Sequence, residues 1–84
     1  MQVTLKLFAS LTDFLPPEHR AANQVGLTVP EGHSVAAVIT QFALPDKLVH
    51  LVLVNGTYIA PEARATRVLV EGDALAIWPP IAGG

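Results

Sequence analysis

The chain contains no cysteine. That absence removes disulfide staples, thiolate metal sites and a cysteine nucleophile together, and it suits a reducing compartment. Positive charge is also sparse. Lys6, Arg20, Lys47, Arg64 and Arg67 are the only lysines and arginines, they form no cluster, and the net charge is −2. A nucleic-acid backbone is held by neutralising several phosphates together, so direct nucleic-acid binding is not expected. No apolar run approaches the roughly 20 residues that cross a bilayer as a helix. "MQVTLKLFAS" places no charged segment ahead of an apolar block, so it does not read as a signal peptide. No membrane partner and a cytoplasmic location are expected. Internal repeats, linkers and low-complexity segments are missing as well.

What is there suits one small domain. The sequence has 84 residues, of which 51% are hydrophobic, and a domain of this size needs an efficient core because it buries a modest share of its surface. "QVTLKLFA" alternates: Val3, Leu5 and Leu7 on one side, Gln2, Thr4 and Lys6 on the other, the pattern of a half-buried strand. Phe8 falls on the polar side. "SLTDFLPPEHR" follows as a long loop, with Pro16-Pro17 ending any regular element, and "NQVGLTV" returns as a second strand. Ser34 is placed as an N-cap before "VAAVITQFA". There Val35, Val38, Ile39 and Phe42 form one apolar stripe at helical spacing, and Pro45 is expected to stop the helix. "LVLV", residues 51–54, is a third strand apolar on both faces; such a strand is either covered on both sides or leaves one side for a partner. Asn55-Gly56 is a turn dipeptide before the short strand "TYI". "PEARATRV" reads as a polar loop. Glu71-Gly72-Asp73 is a turn before a last strand, Ala74 to Trp78, which Pro79-Pro80 ends. The order β-β-α-β-β-β with one amphipathic helix across one face of a mixed sheet is a two-layer α+β domain, the order of the β-grasp or ubiquitin-like fold.

The body shows no reaction centre. His19, His33 and His50 share no metal-ligand spacing. Ser34 has a sufficient role as a cap, and Glu71 and Asp73 flank a glycine as turn residues do. "VNG" and "VEGD" lack the strand–loop–helix context of a phosphate-binding loop. No metal and no bound cofactor are expected, and the body reads as a domain that presents something rather than as an enzyme.

The C-terminal stretch "WPPIAGG" is the distinctive feature. Pro79-Pro80 fixes φ and favours an extended direction. Gly83-Gly84 is slender enough to enter a channel that any Cβ would block. A carboxylate at neutral pH is a poor electrophile, so a carboxylate there would react only after an enzyme gave it a leaving group, as by adenylation. Two aromatic residues sit awkwardly for a core. Phe8 is on the polar side of its strand, and Trp78 falls opposite Ile77, beside the tail. Either the curvature of the sheet or a loop covers them, or they form a partner-binding patch on the helix-free face.

"VNG", "EGDALAI" and the final "PPIAGG" resemble the MoaD/ThiS family of sulfur carriers. The resemblance covers nearly the whole chain in element order and is specific in residues from about Leu51 onward. It implies a single ubiquitin-like domain over residues 1–84, with 79–84 as a protruding tail (Pro79, Pro80, Ile81, Ala82, Gly83, Gly84). It also implies that an E1-like enzyme, using ATP, adenylates the Gly84 carboxylate, and that a sulfur donor replaces AMP to leave a thiocarboxylate. The tail then delivers sulfur to an acceptor enzyme. In the molybdopterin branch, toward which the Pro-Pro step leans, that acceptor is the large subunit of molybdopterin synthase; in the thiamine branch sulfur enters the thiazole. "LTDFLPPEHR" departs from these carriers and is similar to the start of ubiquitin-like domains fused to predicted PIN-related ribonucleases. That similarity implies an alternative, an interaction module associated with RNA processing.

Overall fold

The computed structural model describes residues 1–80. The expected element order is observed: β1 (Gln2–Leu7), β2 (Gln24–Thr28), α1 (Val35–Gln41), β3 (Leu51–Val54), β4 (Thr57–Tyr58) and β5 (Ala74–Trp78). They build a five-stranded sheet in the order β2-β1-β5-β3-β4. β1 and β5 run parallel at its centre, and every other pairing is antiparallel. This is the mixed sheet and single main helix of the β-grasp, or ubiquitin-like, fold. Among the described residues, no helix is long and apolar enough to cross a membrane.

Alternation along each strand puts one side chain in two into a single core. Val3, Leu5 and Leu7 of β1, Val25 of β2, Val52 and Val54 of β3, and Leu75 and Ile77 of β5 meet Val35 and Val38 of α1 there. Ile39 and Phe42, the other half of the expected stripe, are only partly buried against it. The Ser34 cap is present: its Oγ accepts from the Ala37 N–H at 3.0 Å, satisfying one of the donors a helix start leaves free.

The helix ends sooner than Pro45 would dictate. Ala43 takes φ +54°; its N–H donates to the Thr40 carbonyl at 3.0 Å and the Leu44 N–H to Ile39 at 3.1 Å. That pair of bonds is a Schellman motif, with alanine where glycine is usual and Leu44 turned into the core. A sequence signal for it was hidden, because nothing about Ala43 announces a left-handed residue.

The long connection between β1 and β2 is ordered rather than loose. It contains 3₁₀ segments at Ala9–Phe14 and Pro17–His19. Leu11 and Leu15, one turn apart, are buried and close one end of the core. "LTDFLPPEHR" therefore has a structural task. Arg20 reinforces it by donating from Nε to the Leu15 carbonyl and from Nη2 to that of Asp13, both at 3.0 Å. The stretch read as the polar loop "PEARATRV" likewise holds a 3₁₀ turn, Pro61–Ala63. Beyond it Leu69 is buried.

Candidate functional site

The C-terminal end of β5 is held from both sides. The Phe8 N–H donates to the Ile77 carbonyl at 3.3 Å, and the His50 N–H to the Trp78 carbonyl at 3.0 Å. Strand β5 is thus fastened to β1 as far as Ile77 and to β3 as far as Trp78, so the chain leaves the middle of the sheet rather than an edge. Pro79, expected as the first residue of the tail, is buried, and Pro80 is exposed. Ile81, Ala82, Gly83 and Gly84 lie outside the described residues.

The two awkward aromatics are partners. The rings of Phe8 and Trp78 stack with centroids 4.2 Å apart and planes 3° apart, and both are half-buried. They sit on the face of the sheet away from α1, because each falls one residue after a core residue, Leu7 or Ile77. The register extends their surface. Leu51 lies opposite Trp78, and Leu53 lies opposite Ala76 on one side and Tyr58 on the other. Leu51 is 36% exposed and Tyr58 54%. An open apolar stripe therefore runs from Phe8 through Trp78 and Leu51 to Leu53 and Tyr58, beginning beside the root of the tail. Exposed contiguous apolar surface of this kind marks interaction sites. Lys6, opposite Ala76 in the register, borders the stripe with a positive charge. The doubly apolar "LVLV" strand is explained by this face: Val52 and Val54 are buried, while Leu51 and Leu53 belong to the stripe. Sequence alone singled out Phe8 and Trp78 and offered residues 51–54 as a strand with one side open to a partner, but Leu51, Leu53 and Tyr58 join the two aromatics only once β3 is known to pair with β5 and β4.

The other end of β5 is fixed by a buried acid. Asp73 is 4% exposed. Its Oδ1 accepts from Asn55 Nδ2 at 2.8 Å and its Oδ2 from the Val70 N–H at 2.9 Å. Asn55 Oδ1 accepts in turn from the Ala74 N–H at 2.9 Å. Asn55 and Gly56 have φ of +50° and +83°, and Val54 pairs with Thr57, so they form the two-residue hairpin turn that requires positive φ twice. Gly72, at φ +84°, occupies the third position of a turn closed by the Asp73 N–H on the Val70 carbonyl at 3.1 Å. "VNG" and "EGD" are therefore two halves of one clamp that sets where β5 begins. Asp73 and Glu71 have turn duties, the latter accepting from the Gln2 N–H at 2.9 Å.

No reactive constellation forms elsewhere among the described residues. They contain no group of three histidine or acidic side chains able to hold a metal ion. His33 Nε2 lies 3.3 Å from Gln41 Oε1. A groove runs between α1 and the Pro61 turn, lined by Ala36, Ile39, Thr40, Pro61 and Arg64. The Arg64 guanidinium is occupied there by the carbonyls of Ile59, Val49 and His50.

The ThiS family profile matches residues 5–84 of the chain. No curated protein matches it in sequence. Solved structures do match in fold. Small archaeal modifier protein 1 of Haloferax volcanii is 23% identical, with 95% of this chain and 98% of that one covered and a TM-score of 0.68. The putative molybdopterin converting factor subunit 1 of Pyrococcus furiosus is 20% identical, over 96% and 99%, with a TM-score of 0.69. A complex of subunits 1 and 2 of the molybdopterin-converting factor from Helicobacter pylori supplies a third, 16% identical over the whole of both chains, with a TM-score of 0.62.

Proposed function

This chain belongs to the ThiS family, whose members are small carrier subunits rather than catalysts, and on that premise we propose that it carries sulfur as a thiocarboxylate on Gly84. The observation that supports the reading is the way β5 ends. The strand is bonded to β1 through Ile77 and to β3 through Trp78, meets Pro79-Pro80, and does so beside an exposed apolar stripe. A carrier needs those two things together: a firm root for a narrow tip, and a docking surface next to it.

The chemistry belongs to partners. An E1-like enzyme binds ATP, and an oxygen of the Gly84 carboxylate attacks the α-phosphorus with release of pyrophosphate. A sulfide-equivalent nucleophile then adds to the acyl-adenylate carbonyl; the C–S bond forms, the C–O bond to AMP breaks, and AMP departs. Gly83 and Gly84 let the tip enter both enzymes. Ile81 and Ala82 connect it to the Pro79-Pro80 step, and residues 1–84 act as one domain with its tail. Phe8 and Trp78, with Leu51, Leu53 and Tyr58, dock the partner. The acceptor is a molybdopterin synthase large subunit, a reading supported by the Helicobacter pylori complex, whose first subunit shares this fold. The thiamine-type acceptor is the other branch of the same chemistry. The carrier binds no cofactor of its own and works in the cytoplasm, where ATP and reduced sulfur are at hand.

The test is a coupled assay. The chain, an E1-like enzyme, ATP and a sulfide donor are combined with the synthase large subunit, and dithiolene formation is followed. Deleting Gly84, or appending one residue after it, abolishes transfer while circular dichroism shows an unchanged fold. Transfer by the extended chain without trimming overturns the proposal.

A further inference from the structure

The two edges of the sheet are treated differently. Strand β4 is two residues long and is followed by Pro61, and short strands and prolines are how sheets blunt an edge. Strand β2 is five residues long, with no charge or proline inside it; Pro30 lies beyond Val29, outside the strand.

The hydrogen-bond pattern shows which of its groups are free. Val29 and Met1 exchange backbone bonds in both directions, at 2.9 and 2.8 Å, and the Leu7 N–H donates to the Asn23 carbonyl at 2.9 Å. Antiparallel bonding alternates along a strand, so Val25 and Leu27 direct their N–H and C=O groups at Leu5 and Val3 of β1. Gln24, Gly26 and Thr28 direct theirs away from the sheet. All three residues are exposed, and no other described backbone group bonds to that outer row.

We propose that the β2 edge is a self-association surface, on which a second copy of this chain pairs antiparallel about a two-fold axis at Gly26. In that register Gln24 faces Thr28 of the second copy, Gly26 faces Gly26, and Thr28 faces Gln24. Each pair joins two outward rows, so each exchanges N–H···O=C bonds both ways. The same register sets Val25 beside Leu27 of the second copy on the core side, covering a leucine that is only partly buried in one chain.

The sequence suits a copy of itself. No residue from Ala21 to Pro30 is charged, so no like charges meet across the axis, and Arg20 and Glu31 flank the stretch with opposite signs. Antiparallel pairing brings Arg20 of one copy within one residue of the level of Glu31 of the other. Gly26 offers no side chain at the axis, where its own surroundings are open. Apart from Phe8, which directly follows β1, the apolar stripe and the end of β5 lie on the far side of β1 from this edge, so a pair of carriers joined through β2 leaves the stripe and the end of β5 accessible to their enzymes.

Sedimentation of the full chain over a range of concentrations tests the proposal, together with two substitutions at the axis. Gly26→Lys places like charges directly opposite one another, which is destabilising; the fold tolerates it because a Cβ there meets nothing within 4 Å. Like charges facing each other across an interface are strongly disfavoured, so dimerisation is expected to weaken at least about tenfold, with an unchanged melting temperature at concentrations where the chain is monomeric. Gly26→Cys supplies the only thiol in the chain. The hydrogen-bonded Gly26 pair has Cα atoms about 5.5 Å apart, within disulfide reach, so mild oxidation yields a covalent dimer faster than the exposed helix variant Gln41→Cys does. A wild-type chain that stays monomeric at high concentration overturns the inference, as does a dimer that survives Gly26→Lys or equal cross-linking of the two cysteine variants.

Discussion

Asp73→Ala removes the acid at the centre of the clamp that starts β5, and its cost follows from the contacts it loses. Two hydrogen bonds to the carboxylate disappear, from Asn55 Nδ2 at 2.8 Å and from the Val70 N–H at 2.9 Å. A hydrogen bond to a charged group contributes about 1.5–3 kcal/mol. Both contacts are partly buried, so water reaches the abandoned donors in part, and the lower half of the summed range applies, about 3–4.5 kcal/mol. The Arg67 guanidinium, 4.0 Å away and at the surface, adds little. For a domain this small each kcal/mol moves the midpoint by about 4–8 °C, so a fall of roughly 12–36 °C is expected. Urea unfolding measures the free energy and calorimetry the midpoint. Asn55→Ala shares one of the lost bonds, so the double variant should cost less than the sum of the two, by about 0.5–3 kcal/mol. A loss below about 0.5 kcal/mol for Asp73→Ala, or strict additivity with Asn55→Ala, refutes the clamp, because surface substitutions away from such features fall in that range.

Leu51→Asp or Tyr58→Asp should abolish binding to the activating or accepting enzyme in a titration while leaving the melting temperature within a few degrees, since both residues are exposed. Phe8→Ser should weaken the same binding and also cost about 0.5–1.5 kcal/mol, the usual worth of an aromatic pair, because its ring stacks on Trp78. Leu11→Ala, in the connection between β1 and β2, should destabilise by about 2–5 kcal/mol in denaturant unfolding, as for any fully buried leucine. Ala43→Gly should stabilise the domain by about 1 kcal/mol, by relieving a left-handed alanine at the end of α1.

The strands were legible where period two and turn chemistry agreed. Residues 51–54 and 74–78 begin and end as the alternation and the flanking Asn55-Gly56 and Pro79 indicate. The Ser34 cap was legible for the same local reason. What was not legible depends on contacts distant in sequence. Leu11 and Leu15 look like loop residues until the end of the core they close is in view. Ala43 ends the helix through backbone geometry that carries no side-chain signal. Glu71 and Asp73 read correctly as turn residues, but the bond from Asp73 to Asn55, which joins two of the three motifs on which the family resemblance rests, spans eighteen residues. The candidate site was half legible. Phe8 and Trp78 stand out against their strands, whereas Leu51, Leu53 and Tyr58 enter the stripe only through the pairing of β3 with β5 and β4.

On the function proposed above, Gly84 is activated as an acyl adenylate and leaves the activating enzyme as a thiocarboxylate. The most direct measurement is the intact mass of the chain after incubation with an E1-like enzyme, ATP and a sulfide donor. A gain equal to the difference between sulfur and oxygen is expected, localised to the peptide ending at Gly84 and dependent on ATP. An unchanged mass, under conditions where an established carrier gains that increment with the enzyme that serves both, contradicts it.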